Sequence, residues 1–296
     1  MPYREQIFKA EGGPRLFVRR WEIDNPRSVV VVVHGYADHS GRYAALAEYL
    51  NQDGHGVVAC DQRGFGRSDG HSGRIVSLPD LERDLFNIIA SCTAEYRVPV
   101  DLFGHSFGGA LSAIVATNEK APVRSLVLSS PAFRVRSLPL LQPFAGLLAR
   151  IAPRLPVSRI DEAVLSTDTM VVRAAREDKL RYSGKTDAWT GAQIIRAGRR
   201  AFDCAARLHK PLLVFHGTGD KLTDHRESER FVREAASRRK AFHALEGFYH
   251  ETFNEPGKAS VFSLVTRFLA GLSTGLNPPN GGHSPEGADS VGVVLP

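Results

Sequence analysis

Residues 29–33, VVVVV, place five β-branched side chains in a row before His34-Gly35. A short run that is apolar on both faces predicts a strand of a sheet covered on both sides. RYAALAEYLNQDG (42–54) then spaces its apolar positions as a helix does and ends at Gly54. GVVACD (56–61) predicts a second strand, LPDLERDLFNIIASCTAEY (78–96) an amphipathic helix, and VPVDLF (98–103) a third strand. A helix over 107–117 and a strand at VRSLVLSS (123–130) continue the alternation. This order predicts an α/β fold, a mostly parallel, doubly wound sheet. EQIFKA (5–10) and RLFVRRWE (15–22) read as an antiparallel hairpin added at one edge.

The rhythm breaks between about 131 and 205, where prolines stand at 131, 139, 143, 153 and 156 among short helical patterns without clear strands. That stretch is too organised for a loop and predicts a helical cap inserted over the sheet. Alternation resumes with KPLLVFHG (210–217), a helix over 225–236, a strand at 240–247 and a helix at 258–272. One α/β domain thus spans 1–272 with the cap inside it, and 273–296, rich in Gly, Pro, Ser and Asn, predicts a disordered tail.

At 296 residues the chain is long enough to bury one large core without staples. The formal charge of +6 raises the question of an acidic partner, but the basic residues form no aromatic-interleaved stripe, so nucleic acid is not expected. They gather in 131–200, where 13 Lys and Arg face 6 Asp and Glu. Cys60, Cys92 and Cys204 cannot pair off completely and lack metal-ligand spacing. They read as reduced core thiols of a cytoplasmic protein. MPYREQIFKA lacks the apolar stretch of a signal peptide, and no run reaches the length of a membrane span.

The chemistry enters at GHSFGG (104–109), which follows one strand and opens a helix. This is G-x-S-x-G in the setting of a nucleophile elbow: the turn is so sharp that side chains at Gly104 and Gly108 would collide. It lifts the Ser106 hydroxyl above the carboxyl edge of the sheet and aims the Phe107 N–H at developing negative charge. A serine needs a base, and in this arrangement the acid and then the histidine follow it along the chain. His250 in GFYHETFNEP and Asp220 in HGTGDKLTD each lie just past a later strand. His243 and His216 fall within or at the end of strands and read as packed; Asp224 reads as a helix-capping residue. The second oxyanion donor is expected from HGYADHSGRY, as the Tyr36 N–H, with His34 holding that loop.

Taken together, HGYADHSGRY, DQRGFGRSDG, GHSFGG, HGTGDKLTD and FYHETFNEP resemble the α/β-hydrolase family, in its monoacylglycerol lipase and lysophospholipase branch, over residues 5–272. The resemblance implies Ser106 as nucleophile, His250 as base, Asp220 as orienting acid, Tyr36 and Phe107 as oxyanion donors, and no metal or cofactor. It implies that Asp38 and Arg42 shape the polar end of the substrate pocket. The expected activity is hydrolysis of glycerol or lysophospholipid esters through an acyl-enzyme. A short- to medium-chain carboxylesterase, a peptidase and a non-catalytic ligand-binding protein are the alternatives. Phe107 stands where the family usually has Met, Tyr36 where a small residue is common, and Asp38 where Glu is usual. SLPLLQPFAGLLARIAPRL (137–155), apolar with interspersed arginines, fits either a helix packed on the sheet or an amphipathic lid that admits acyl chains and rests on anionic lipid.

Overall fold

Period two sorts the side chains of the central strands into two apolar layers. In β3 (Ser28–Val33), Val29, Val31 and Val33 enter one layer and Val30 and Val32 the other, all buried. The split recurs at Leu102 and Phe103 of β5 (Val100–His105), at Leu126 and Val127 of β6 (Ser125–Ser129), and at Leu212 and Leu213 of β9 (Leu212–Gly217). The computed structural model describes residues 3–9, 12–136, 144–274 and 292–293. Its main sheet runs β1-β2-β4-β3-β5-β6-β9-β10-β11, with β1 Arg4–Lys9, β2 Arg15–Trp21, β4 His55–Cys60, β10 Lys240–Leu245 and β11 Gly292–Val293.

From β4 to β10 the neighbours are parallel. The expected edge hairpin is present: β2 joins β4 antiparallel, and β1 joins β2. At the far edge Phe242 pairs with Val293, so two residues of the stretch expected to be a disordered tail form a strand. Residues 275–291 and 294–296 of that stretch lie outside the described residues.

Helices cover both faces. α1 (Ala44–Gln52) and α8 (Lys258–Thr274) seal one with Leu46, Leu50, Val261 and Phe268. α2 (Leu78–Tyr96), α3 (Phe107–Ala116) and α7 (His225–Glu234) seal the other with residues such as Ile88, Leu111 and Phe231. Helix ends follow local chemistry. The Ser77 side chain accepts from the Asp80 N–H at the start of α2, and Asp224 caps α7 by accepting from the Arg226 N–H.

Between β6 and β9 stand α4 (Ala145–Ile151), an antiparallel pair of β7 (Pro156–Ser158) and β8 (Thr186–Asp187) with α5 (Thr169–Glu177) between them in the chain, and α6 (Ala188–Ala205). The pair is absent from the sequence expectation, because strands of three and two residues are too short to show an alternation. The boundary at 205 also runs too far. Ala197, Ala201 and Ala205 of α6 are buried in the core layer that holds α3, so α6 begins over the cap and ends as the crossover helix to β9. Of the run 137–155, residues 137–143 lie outside the described residues; in the remainder Phe144, Leu147 and Ile151 are exposed while Ala149 is buried.

Gly198 lets α6 press on the chain leaving β6: a Cβ there would lie 2.4 Å from the Phe133 carbonyl oxygen and 2.7 Å from that of Ala132. On an open helix Gly→Ala gains up to about 1 kcal/mol. At this contact Gly198→Ala should instead cost about 1–3 kcal/mol through overpacking. A lowered urea midpoint is the expected result, and an unchanged or raised midpoint contradicts the close approach.

Candidate active site

The turn from β5 into α3 is strained at Ser106, whose φ of 53° and ψ of −121° lie where side chains are rarely found. The glycines around it fit the expectation of crowding and add to it. A Cβ on Gly104 would stand 2.7 Å from the Gly108 carbonyl oxygen, across the elbow. One on Gly108 would meet the Val33 and His34 carbonyl oxygens at 2.3 Å, so this glycine also lets α3 touch the end of β3.

The later strands bring the expected partners to this point. His250, in the loop after β10, places Nε2 2.8 Å from Ser106 Oγ and Nδ1 2.7 Å from Asp220 Oδ2. Asp220 lies in the turn after β9, and its Oδ1 accepts from the N–H groups of Leu222 (2.7 Å) and Thr223 (3.0 Å). Burial raises the proton affinity of this carboxyl, but His250 and His216 beside it outweigh that and hold it well below the usual carboxylate range. An ionised carboxylate only accepts. Nδ1 of His250 therefore carries the proton, and Nε2 is free to accept from the serine hydroxyl. Burial disfavours the imidazolium, yet the charge and hydrogen bond of Asp220, with Glu251 and Asp38 beyond, leave the His250 pKa raised. His105, 4.8 Å from His250 ring to ring, goes the other way: burial, then His250, push it down to about 3.

The Phe107 and Tyr36 N–H groups have no backbone acceptor among the described residues, and both residues line the same cavity as Ser106. Both are therefore available as donors beside Ser106. The Tyr36 ring turns toward Phe65 and Tyr182, and its hydroxyl donates to the Gly73 carbonyl oxygen at 3.1 Å. His34 secures the loop, accepting at Nε2 from the Gln62 N–H at 2.8 Å with Nδ1 2.7 Å from the Gly35 carbonyl oxygen.

Asp38 lines the cavity, whereas Arg42 stands behind its wall. Arg42 forks onto Glu251 at 2.5 and 2.7 Å and reaches Asp38 at 3.4 Å. Burial opposes both charges, but Arg42 holds the Glu251 carboxyl below its usual value and is itself held further toward the charged form. Sequence reasoning missed Glu251, which also lines the cavity, and the buried Glu255. Glu255 accepts from the Tyr249 N–H at 2.8 Å and from the Thr167 N–H at 3.1 Å, tying the histidine loop to the cap. The acids of HETFNEP were visible as a signal; their partners, 209 and 88 residues away, were not.

The cavity together with the open solvent at its mouth spans about 1160 Å³. Leu148, Val157, Ile160, Leu165, Ile194 and Ile195 make its cap side apolar, while Asp38, Arg181 and Glu251 give it a polar side. Among the described residues no group of His, Cys, Asp and Glu could hold a metal ion. The arrangement can generate a serine nucleophile, stabilise an oxyanion and seat an apolar chain next to a polar group.

Residues 24–257 match the family described as "Serine aminopeptidase, S33". Monoacylglycerol lipase of Mycolicibacterium smegmatis is 34% identical over 269 residues, which cover 90% of this chain and 96% of the relative. Phospholipase YtpA of Bacillus subtilis is 30% identical over 254 residues, covering 84% and 97%. Among solved structures, the monoacylglycerol lipase of Paleococcus ferrophilus aligns with a TM-score of 0.77 at 31% identity, over 87% of this chain and 99% of that one.

The raised His250 pKa has a measurable sign. The imidazole must be neutral to accept the serine proton, so the rate at which a fluorophosphonate labels Ser106 should rise with pH, with a midpoint above the ordinary histidine value of about 6.5. A midpoint below that value would contradict the ion-pair geometry.

Proposed function

The chain belongs to the α/β-hydrolase family of the monoacylglycerol lipases, and from that premise we propose that it hydrolyses esters of glycerol or of lysophospholipids with Ser106, His250 and Asp220 as its catalytic triad. The observation that carries this reading is the hydrogen-bonded line from Ser106 through His250 to Asp220, opening into a cavity apolar on one side and polar on the other. Ser106 attacks the ester carbonyl as His250 takes its proton, and Asp220 keeps the imidazole in the required tautomer and offsets its charge. The Tyr36 and Phe107 N–H groups receive the oxyanion. His250 then protonates the leaving alcohol, and water releases the acyl group by the same steps. The acyl chain lies along the cap side of the cavity and the alcohol on the side of Asp38 and Glu251. Arg42 acts from behind by fixing those two carboxylates.

A peptidase would need a free carboxylate for a substrate amine. The two on the cavity wall, Asp38 and Glu251, are both engaged by Arg42, which favours the ester reading. The cap also supports contact with a lipid surface. Phe144, Leu147, Ile151, Leu155 and Met170 are exposed large apolar side chains, and Arg150, Arg154 and Arg159 are exposed among them. Exposed apolar and basic side chains together on the cap suit peripheral attachment to anionic lipid. No helix among the described residues is long and apolar enough to cross a membrane. Three free thiols support a reducing, cytoplasmic setting.

Ser106→Ala should abolish ester hydrolysis and fluorophosphonate labelling with the fold intact by circular dichroism. Asp220→Asn should lower kcat by about 10⁴ through the wrong imidazole tautomer. If Asp224→Asn were the more damaging change, the acid would be misassigned.

Substrate class is read from an acyl series. Each methylene buried against the cap gains roughly 0.8 kcal/mol, so four more carbons should raise kcat/KM by about two orders of magnitude until the groove ends. Changing Phe144, Leu147 and Ile151 to serine should weaken binding to anionic vesicles, which salt should also weaken. A preference for two to four carbons together with no vesicle binding would favour a short-chain carboxylesterase instead.

A further inference from the structure

The triad acid holds a second histidine. His216, at the end of β9 and wholly buried, places Nε2 3.0 Å from Asp220 Oδ2, the same oxygen that His250 approaches at 2.7 Å. On its other side Nδ1 lies 2.7 Å from Ser228 Oγ, in the buried face of α7. The Thr223 hydroxyl completes the set, donating to Oδ2 at 2.7 Å.

These contacts fix the tautomer. Asp220 is acceptor only, so Nε2 of His216 must carry the proton it directs at Oδ2; complete burial disfavours the imidazolium, which leaves Nδ1 to accept from the Ser228 hydroxyl. We propose that His216 is a positioning residue for catalysis: a neutral, Nε2-protonated histidine that fixes the plane of the Asp220 carboxylate and draws charge from the oxygen facing His250. It touches neither the substrate cavity nor Ser106 and acts only through Asp220. The inference rests on the triad reading above.

Two consequences follow from hydrogen-bond chemistry. A carboxylate with one donor fewer rotates more freely, so the imidazole is held less well for proton transfer. It is also more basic, so it holds the His250 imidazolium more tightly and raises the pKa at which the base becomes available. The other groups that set that pKa are Asp38, Glu251 and His105 around His250, while His225 faces His216 at 6.3 Å between rings. None of them changes in the substitutions that follow.

His216→Asn and His216→Gln separate the positioning role from packing. The Asn amide nitrogen reproduces the place of Nδ1 and keeps a Ser228 contact without reaching Asp220. The Gln amide nitrogen reproduces the place of Nε2 and still donates to Oδ2. His216→Asn should lower kcat about tenfold with KM unchanged and move the rising limb of kcat/KM to higher pH by about half a unit or more. His216→Gln should restore both to within about threefold and a few tenths of a unit. Equal activity of the two variants, or equal loss with an unmoved limb, would overturn the proposal in favour of packing.

The unsubstituted protein, labelled with ¹⁵N-histidine, gives an arm that does not depend on a variant folding. His216 should stay in the Nε2–H form from pH 5 to 9 without titrating, and an Nδ1–H form overturns the proposal. Failure of the triad reading is distinguishable: there Ser106→Ala would retain activity, whatever His216 does.

Discussion

A carboxylate shut away from water at Asp220 keeps its charge because five hydrogen-bond donors converge on it. Two are backbone N–H groups of its own turn; the others are His250, His216 and the Thr223 hydroxyl. An ionised carboxyl is unstable in such a place without them. With them it dictates that Nδ1 of His250 be protonated, that Nε2 face Ser106, and that the imidazole be more basic than a free one. The chemistry of the serine therefore depends on how β9 ends.

That ending is a property of the sheet. All strands from β4 to β10 run the same way, so their carboxyl ends open onto one edge, where Ser106, Asp220 and His250 leave β5, β9 and β10. The contacts that hold the edge are tight. Gly108 of α3, against the end of β3, and Gly198 of α6, against the chain leaving β6, admit approaches that no side chain would allow. Strain at Ser106 persists because its carbonyl oxygen accepts from Gly109, Ala110 and Ala132, on both α3 and the chain after β6.

Much of this was legible in the sequence because it is local. VVVVV announces a strand buried on both faces, and Gly104 and Gly108 announce the elbow, through effects that act within a few residues. The order of the strands let Asp220 and His250 be placed beside Ser106 without coordinates. What stayed hidden depends on partners remote in the chain. The β7–β8 pair is too short to carry a period, the end of α6 is core because α3 lies under Ala197 and Ala201, and Glu255 gains its role from Thr167. His216 looked merely packed because a histidine ending a strand usually is; Asp220 four residues later gives it a second meaning.

Arg42 illustrates the same limit with a consequence for the reaction. Glu251 and Asp38 both raise the proton affinity of His250, adding to Asp220. Three carboxylates around one imidazole favour its charged form. Arg42 offsets part of that charge from outside the cavity. Its fork on Glu251 and its reach to Asp38 place one cation against two anions, so the polar side of the cavity keeps its hydrogen-bonding oxygens without presenting their full charge to the histidine. Glu251 is adjacent to His250, and its N–H donates to the Leu165 carbonyl oxygen at 2.8 Å. The ion pair thus joins the loop after β3, the histidine loop and the cap at one point. Where the alcohol portion of an ester would lie and how the cap is seated thus meet at one buried guanidinium.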